Sequence, residues 1–271
     1  MTRVATIARN PVNSPNMTGN DTAILERVTA ELKERGATVT AIGENEELPD
    51  GIDIVCTMSR TSDTLNRLKK AEEQGIIVIN PTASVENCSR IRFMEILRDN
   101  RVPQPAFRIV DSADGLDTGL YPSWIKKAEG WSTAKEDVCF AGNHDEAVQA
   151  VTQMKAQGIG QYIQMQHCKG DIIKFYGVGN TLFHFFYPES GKFGHEEING
   201  TPQQYPFDTN RLKETAQKAA KAIGLDIYGG DAIITPEGDI SIIDINDFPS
   251  FTAIRDKAAK EIALLIMSKT V

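Results

Sequence analysis

The stretch Gly229–Phe251, GGDAIITPEGDISIIDINDFPSF, sets two aspartates and an asparagine among apolar residues. Its pattern predicts a β-hairpin, with one strand over about 228–235, a second over 240–245, and Pro236-Glu237-Gly238-Asp239 as turn chemistry. With those four residues as the loop, Thr235 faces Ile240 and Asp231 faces Asp244, their Cβ atoms about 5 Å apart. Left bare, such a pair is repulsive, and a bound divalent cation reverses the sign. Asn246, two residues past Asp244, shares its face, while Ile243 and Ile245 are expected to point to the core. Two carboxylates and an amide oxygen are hard ligands, suited to Mg2+ that also holds nucleotide phosphates. Everything depends on register. A three-residue turn would set Asp231 against Ile243 and leave an ordinary polar face of solvated acids.

The second group of candidates is basic. Lys126 (in WIK) and Lys174 (in DIIKFY) each stand inside an apolar strand pattern, where a lysine must snorkel or meet an anion. Two such lysines together with an acidic, metal-holding hairpin suit a triphosphate. Arg9 and Arg60 each follow a predicted strand end and could face a substrate anion, although an arginine so placed is more often a surface residue. The chain has no G-x-x-x-x-G-K-[ST], no H-R-D or D-F-G, and no G-x-G-x-x-G after its first strand. A Walker phosphate loop, a protein-kinase site and a dinucleotide fingerprint are therefore not supported.

The elements that must position these residues fall into two styles. Strands over 4–8, 39–42, 52–58 and 76–79 alternate with helices over 21–36 and 62–74, a βαβ pattern that predicts a small parallel sheet. A helix over 85–100 leads to the connector Val102-Pro103-Gln104-Pro105. Beyond it, strands over 107–110, 124–127, 138–141, 162–167, 171–178 and 181–187 and a helix over 145–157 predict antiparallel sheet with helices on it. Residues 188–207 lack periodicity, and a loop of that length inside a compact chain suits a lid or an acceptor-binding segment. Helices over 209–224 and 252–268 flank the hairpin. We divide the chain into an N-terminal α/β domain (1–84), a linker helix with a first α+β unit (85–160), and a second α+β unit carrying the hairpin (161–271).

Composition narrows the partners. The 271 residues carry a net charge of -8, so the overall field attracts neither nucleic acid nor an anionic membrane. No apolar run is long enough to span a bilayer, and the N-terminus has no signal-peptide core. Cys56, Cys88, Cys139 and Cys168 are scattered without a C-x-x-C pair and read as reduced thiols of a cytoplasmic protein.

In this order the elements resemble the ATP-grasp superfamily over essentially the whole chain, most specifically in KGDIIKFYGVG and IDINDFPS. The resemblance implies ATP clamped between two antiparallel α+β units behind an N-terminal α/β domain, with the γ-phosphoryl group passed to a small-molecule acceptor. By position, Lys126 and Lys174 match the strand lysines on the phosphates, and Arg90 the basic residue that opens the helix before the connector. Gln164–His167 matches the hinge at the adenine, with Met165 and His167 as its backbone contacts, and Asp231, Asp244 and Asn246 match the Mg2+ ligands. Two branches compete. Carboxylate–amine ligases usually carry lysine, arginine and glutamate where this chain has Arg90, Lys174 and Asp244; inositol phosphate kinases of ATP-grasp type match it at all three. The resemblance therefore leans to a kinase acting on a polyol or inositol phosphate, with the ligase as alternative and a non-catalytic ATP-binding protein disfavoured by the full residue set. The chain departs from the kinases too, with Lys135 near where a histidine is expected, Met165 in place of a glutamate, and no basic excess for a polyphosphate. Asp247 and His195 are weak candidates for a general base. Lys192 and Arg9 would suit a phosphorylated acceptor, Glu196 and Glu197 an amine.

Overall fold

The computed structural model describes residues 1–14, 17–128, 135–188 and 196–269. Lys192, His195 and the side chains of Lys135, Glu196 and Glu197 lie outside the described residues.

The N-terminal part is the expected βαβ arrangement. Strands β1 (Arg3–Ile7), β2 (Thr38–Ile42), β3 (Ile54–Thr57) and β4 (Ile77–Ile79) form a parallel sheet in the order β2-β1-β3-β4. Helix α1 (Thr18–Glu34) buries Ile24, Leu25, Val28 and Leu32, the stripe its 3.6-residue period predicts. Helix α2 (Ser62–Glu73) buries Leu65, Leu68 and Ala71 in the same way. The helix read as continuous over 85–100 is two: α3 (Thr82–Asn87) and α4 (Arg90–Asp99), separated at Cys88-Ser89, so that Arg90 is the first residue of a new helix.

Two antiparallel sheets follow. The first has the order β5 (Phe107–Val110), β8 (Tyr162–Gln166), β6 (Ser123–Lys127), β7 (Val138–Ala141), backed by α5 (His144–Ala156). Asn143 caps α5, its side-chain oxygen accepting from the Glu146 N–H. Because β8 lies between β5 and β6, the division at 160/161 is misplaced: β8 belongs to the preceding unit. The turn between α5 and β8 looks the same in sequence whether the next strand joins the old sheet or starts a new one.

The second sheet has the order β10 (Leu182–Phe186), β9 (Asp171–Val178), β11 (Ile227–Ile234), β12 (Ile240–Asp247). A short helix, α6 (Glu196–Asn199), precedes α7 (Thr209–Ile223), which Asp208 caps and Gly224 ends at φ 93°. α4 and α7 share one core with β9, β11 and β12, into which the first antiparallel sheet also reaches through Ile163 and Met165. The last helix, α8 (Arg255–Ser268), does more than close the C-terminal unit. Its small-residue stripe (Ala258, Ala259, Ile262, Ala263, Ile266) packs in a core that includes both α1 and the Val178–Leu182 end of the second sheet. Among the described residues no helix is long and apolar enough to cross a membrane.

The β11–β12 hairpin combines both registers that the sequence leaves open. The turn is the short one. Thr235 N–H donates to the Asp239 carbonyl, Gly238 takes φ 82°, and Ile234 pairs with Ile240. Carried onward, this register would oppose Asp231 to Ile243. A β-bulge intervenes, with Ala232 facing Ile242 and Asp231 facing Asp244. The extra residue is Ile243, which with Asp244 is only partly buried, packing against the edge of the core and lining the cleft. The expectation that Ile243 faces the core holds in part, since it is half-buried against the core yet lines the cleft, while Ile245 is buried as expected.

Candidate active site

A cleft opens between the two antiparallel sheets. One wall carries Trp124, Lys126, Val138 and Met165; the other carries Ile172, Ile233 and Ile243; the segment Gln166–Cys168 joins them. Apolar walls with a few charged groups are what a ligand site needs.

Strand alternation sends Lys126 toward the cleft while Ile125 is buried on the α5 side. The Lys126 Nζ lies 3.6 Å from the Met165 sulfur. Burial pushes its pKa from the ordinary 10.5 to about 8; the Arg90 charge acts in the same direction, and Asp244 and Asp231 oppose it. Arg90 reaches across from α4 to donate to the Lys127 carbonyl. Its own pKa is lowered by burial, against the pull of Asp244 and Asp137. On the second sheet, register sets Asp231 between Lys174 on β9 and Asp244 on β12. Lys174 Nζ meets Asp231 Oδ1 at 2.7 Å. Burial pulls the Lys174 pKa down, but the charge and hydrogen bond of Asp231, with Asp244 behind it, outweigh burial and leave it raised. Asn246 Nδ2 donates to Asp244 Oδ2 at 2.7 Å.

The donor set fits Mg2+ held together with a nucleotide better than a free-standing metal site. Among the described residues no group of three His, Cys, Asp or Glu side chains could hold a metal. Two aspartates and one amide leave a six-oxygen shell to be completed by water and phosphate oxygens. The Lys174 ammonium meanwhile supplies the positive charge that the facing carboxylates require.

Of the remaining candidates, Met165 and His167 line the cleft and the others lie elsewhere. The Gln164 side chain points behind the sheet, away from the cleft: its oxygen accepts from the Asp117 N–H at 2.7 Å and its amide donates to the Asp117 carbonyl at 2.9 Å. Met165 lines the cleft through its side chain, and its backbone is paired in register with Trp124 and Phe107. The His167 N–H donates to the Pro122 carbonyl at 2.8 Å, and its Nδ1 accepts from Trp124 Nε1 at 3.2 Å. The hinge groups that line the cleft beside them are Gln166 and Cys168. Asp247, Arg9 and Arg60 are not surface residues. They are buried against one another where β12 meets the N-terminal sheet. That contact is long-range, so nothing local in the sequence announces it. Sequence reasoning missed Ile243, Trp124 and Pro105 as lining residues; the signal for Ile243 is the two-versus-one count of a bulge, which a regular ladder conceals.

No family model matches the chain. A probable alpha-L-glutamate ligase of Halorhodospira halophila is 26% identical over 212 residues, covering 74% of this chain and 68% of that protein. Among solved structures, D-alanine–D-alanine ligase from Bacillus anthracis complexed with ATP superposes with a TM-score of 0.71 at 14% identity, over 100% of both chains. A RimK domain ATP-grasp protein from Sphaerobacter thermophilus gives 0.70 at 15% identity, over 98% of this chain and 100% of that one. The ATP-grasp ligase PsnB complexed with a minimal precursor, Mg and ADP gives 0.68 at 13% identity, over 98% of each chain. The lean toward an inositol phosphate kinase, drawn from Arg90, Lys174 and Asp244, finds no support in these relatives. The chain thus has the fold of these ATP-grasp structures.

Proposed function

We propose that this chain is a Mg2+- and ATP-dependent carboxylate–amine ligase. The observation that carries the reading is that Lys126, which lines the cleft, feels the charges of Asp231 and Asp244 from the other sheet, where Asp231 pairs with Lys174 and Asp244 with Asn246, in a fold whose relatives are ligases. The overall reaction joins a carboxylate to an amine as an amide, with ATP converted to ADP and inorganic phosphate. Asp231, Asp244 and Asn246 hold the metal, which supplies charge neutralisation at the phosphates when bound. Lys126 and Lys174 neutralise the transferring group from the two sheets, and Arg90 backs Lys126 from α4. The base lies against Met165, Ile243 and the Gln166–Cys168 backbone. Catalysis of this kind is positioning and electrostatics, so no general base is assigned to Asp247.

The kinase alternative requires a basic acceptor pocket. Arg9 and Arg60, the cations at the N-terminal strand ends, are instead engaged by Asp247 and by main-chain carbonyls. That disfavours a polyphosphate acceptor. From its scattered cysteines, without a C-x-x-C pair, we place the chain in a reducing, cytoplasmic setting. The deciding experiment offers purified protein, ATP and Mg2+ with carboxylates, amines and polyols, singly and paired, and follows ADP and inorganic phosphate. Release of both that requires an acid and an amine together supports the ligase. ADP formation with a phosphorylated polyol and no free phosphate overturns it.

A further inference from the structure

Asp247 follows the metal-side residue Asn246 directly in the chain and is the last residue of β12. Its side chain is 1% exposed, and the two arginines around it are 6% and 7% exposed. Arg60 holds Asp247 Oδ1 through Nε at 2.6 Å and Nη2 at 2.5 Å. Arg9 Nη2 stands 3.6 Å from Asp247 Oδ2 and donates to the Phe248 carbonyl at 2.9 Å, while its Nε donates to the Met58 carbonyl at 3.1 Å. Arg9 Nη1 lies 3.7 Å from Asp21 Oδ2, in the first turn of α1. Two buried cations and two buried anions thus lie together, Asp247 hydrogen-bonded through Oδ1 to Arg60 while Asp21 Oδ2 and Asp247 Oδ2 face Arg9 beyond hydrogen-bond distance.

Its placement is specific. Arg9 opens the loop after β1, Asp21 lies where that loop enters α1, and Arg60 lies in the loop after β3. Both loops leave the carboxyl ends of parallel strands, where α/β sheets receive ligands. A second tie meets the same end of the hairpin: Asn80, just past β4, donates to the Ile227 carbonyl and accepts from the Asp226 and Ile227 N–H groups. Ile227 accepts in turn from the Phe248 N–H, one residue past Asp247. The chain then turns through Phe248 at φ 33° and Phe251 at φ 46°, both fully buried. Such backbone persists only where surrounding packing over-determines it.

We propose that Asp247 is a positioning residue that fixes the β1–α1 and β3–α2 loops, through Arg9 and Arg60, at a set distance from Asp244 and Asn246. The acceptor held by those loops then meets the phosphoryl group in register. What is positioned rests on the ligase reading; the mechanical link does not. Asp247 acts on the acceptor side, so its loss separates acceptor from nucleotide.

The test compares wild type with Asp247→Asn, Arg60→Met and the double variant. Four quantities are read: Tm, Mg2+-ATP affinity by calorimetry, acceptor KM and kcat, and amide exchange over residues 9–21 and 58–61. The expected result is Mg2+-ATP affinity within about threefold of wild type. Acceptor kcat/KM falls by roughly tenfold or more, and exchange rises in both loops. The double variant is no worse than Asp247→Asn alone, because both cut one link. Equal losses in nucleotide and acceptor affinity, additive single defects, or unchanged loop exchange would each overturn the proposal. If Asp247→Asn does not fold, Arg60→Met alone carries the same comparison. A wild type that binds Mg2+-ATP but ligates no acid–amine pair refutes the ligase reading, and the exchange comparison still decides the link.

Discussion

Lys126 gives the most exacting test of the site. In the nucleotide-free protein its pKa lies at about 8, set by burial and by Arg90. The ammonium is therefore half-protonated near pH 8 and about one-tenth protonated at pH 9. A bound polyphosphate favours the charged form and draws a proton from solvent. Uptake on binding Mg2+-ATP should be about 0.1 proton at pH 7, ~0.5 at pH 8 and ~0.9 at pH 9. Affinity should fall by about tenfold per unit above pH 8, until the pKa of the complex is reached. Folding carries the matching sign. The folded pKa of about 8 lies below the ordinary 10.5, so between those values the unfolded chain binds more protons. The nucleotide-free protein should therefore gain stability from Lys126 as pH rises through that window, and lose it as pH falls toward 8.

Calorimetry at each pH in buffers of different ionisation enthalpy measures the uptake directly. Lys126→Arg is the control, since a guanidinium stays charged across the whole window and cannot take up a proton. A terminal phosphate, titrating near pH 6, contributes equally to both proteins and cancels in the difference. Equal proton uptake by wild type and Lys126→Arg at pH 8 and 9 would refute the reasoning, because the titrating group would then not be Lys126.

Deleting Ile243 should remove the bulge yet leave Asp231 opposite Asp244; we expect retained Mg2+ dependence with nucleotide affinity weakened by roughly 10–30-fold from the lost apolar contact, read by calorimetry with ATP and with inorganic triphosphate, which should bind as before. Gly230→Ala places a Cβ against the Asp244 carbonyl oxygen and the Phe175 ring, so denaturant unfolding should show a loss of about 1–3 kcal/mol, accompanied by weaker Mg2+ binding. Gln164→Ala should cost about 1–3 kcal/mol by unpairing the Asp117 backbone; nucleotide affinity should stay unchanged, and a large loss of binding would return Gln164 to the site. Asp244→Ala with Asn246→Ala should abolish the Mg2+-dependent rise in Tm that ATP produces in the wild type.

The hairpin shows what a sequence can and cannot specify. A four-residue loop opposes Asp231 to Asp244, and the loop is in fact the shorter one that on its own separates them. The pairing survives because one extra residue, Ile243, enters β12 between the turn and the acids. A regular ladder and a tight turn plus bulge oppose the same two residues, so pairing alone does not distinguish them. They differ in where Ile243 points: a regular ladder buries it, whereas the bulge leaves it half-buried at the cleft. Periodicity made the strands, α1, α2, α7 and the lysines legible because each depends on neighbours a few residues away. The membership of β8, the division of α3 from α4, the two-sided role of α8 and the burial of Arg9, Arg60 and Asp247 depend on partners far along the chain. Asp247 and Arg60 are 187 residues apart, yet they meet at 2.6 Å. A charged residue at a strand end looks solvated until the partner that buries it is known. The same displacement affects function: residue types at Arg90, Lys174 and Asp244 lean toward a kinase, whereas Arg9 and Arg60, read as candidates for a substrate anion, are committed to Asp247. Acceptor class is written in long-range contacts of that kind, while the nucleotide chemistry is written in the local spacing of the strands.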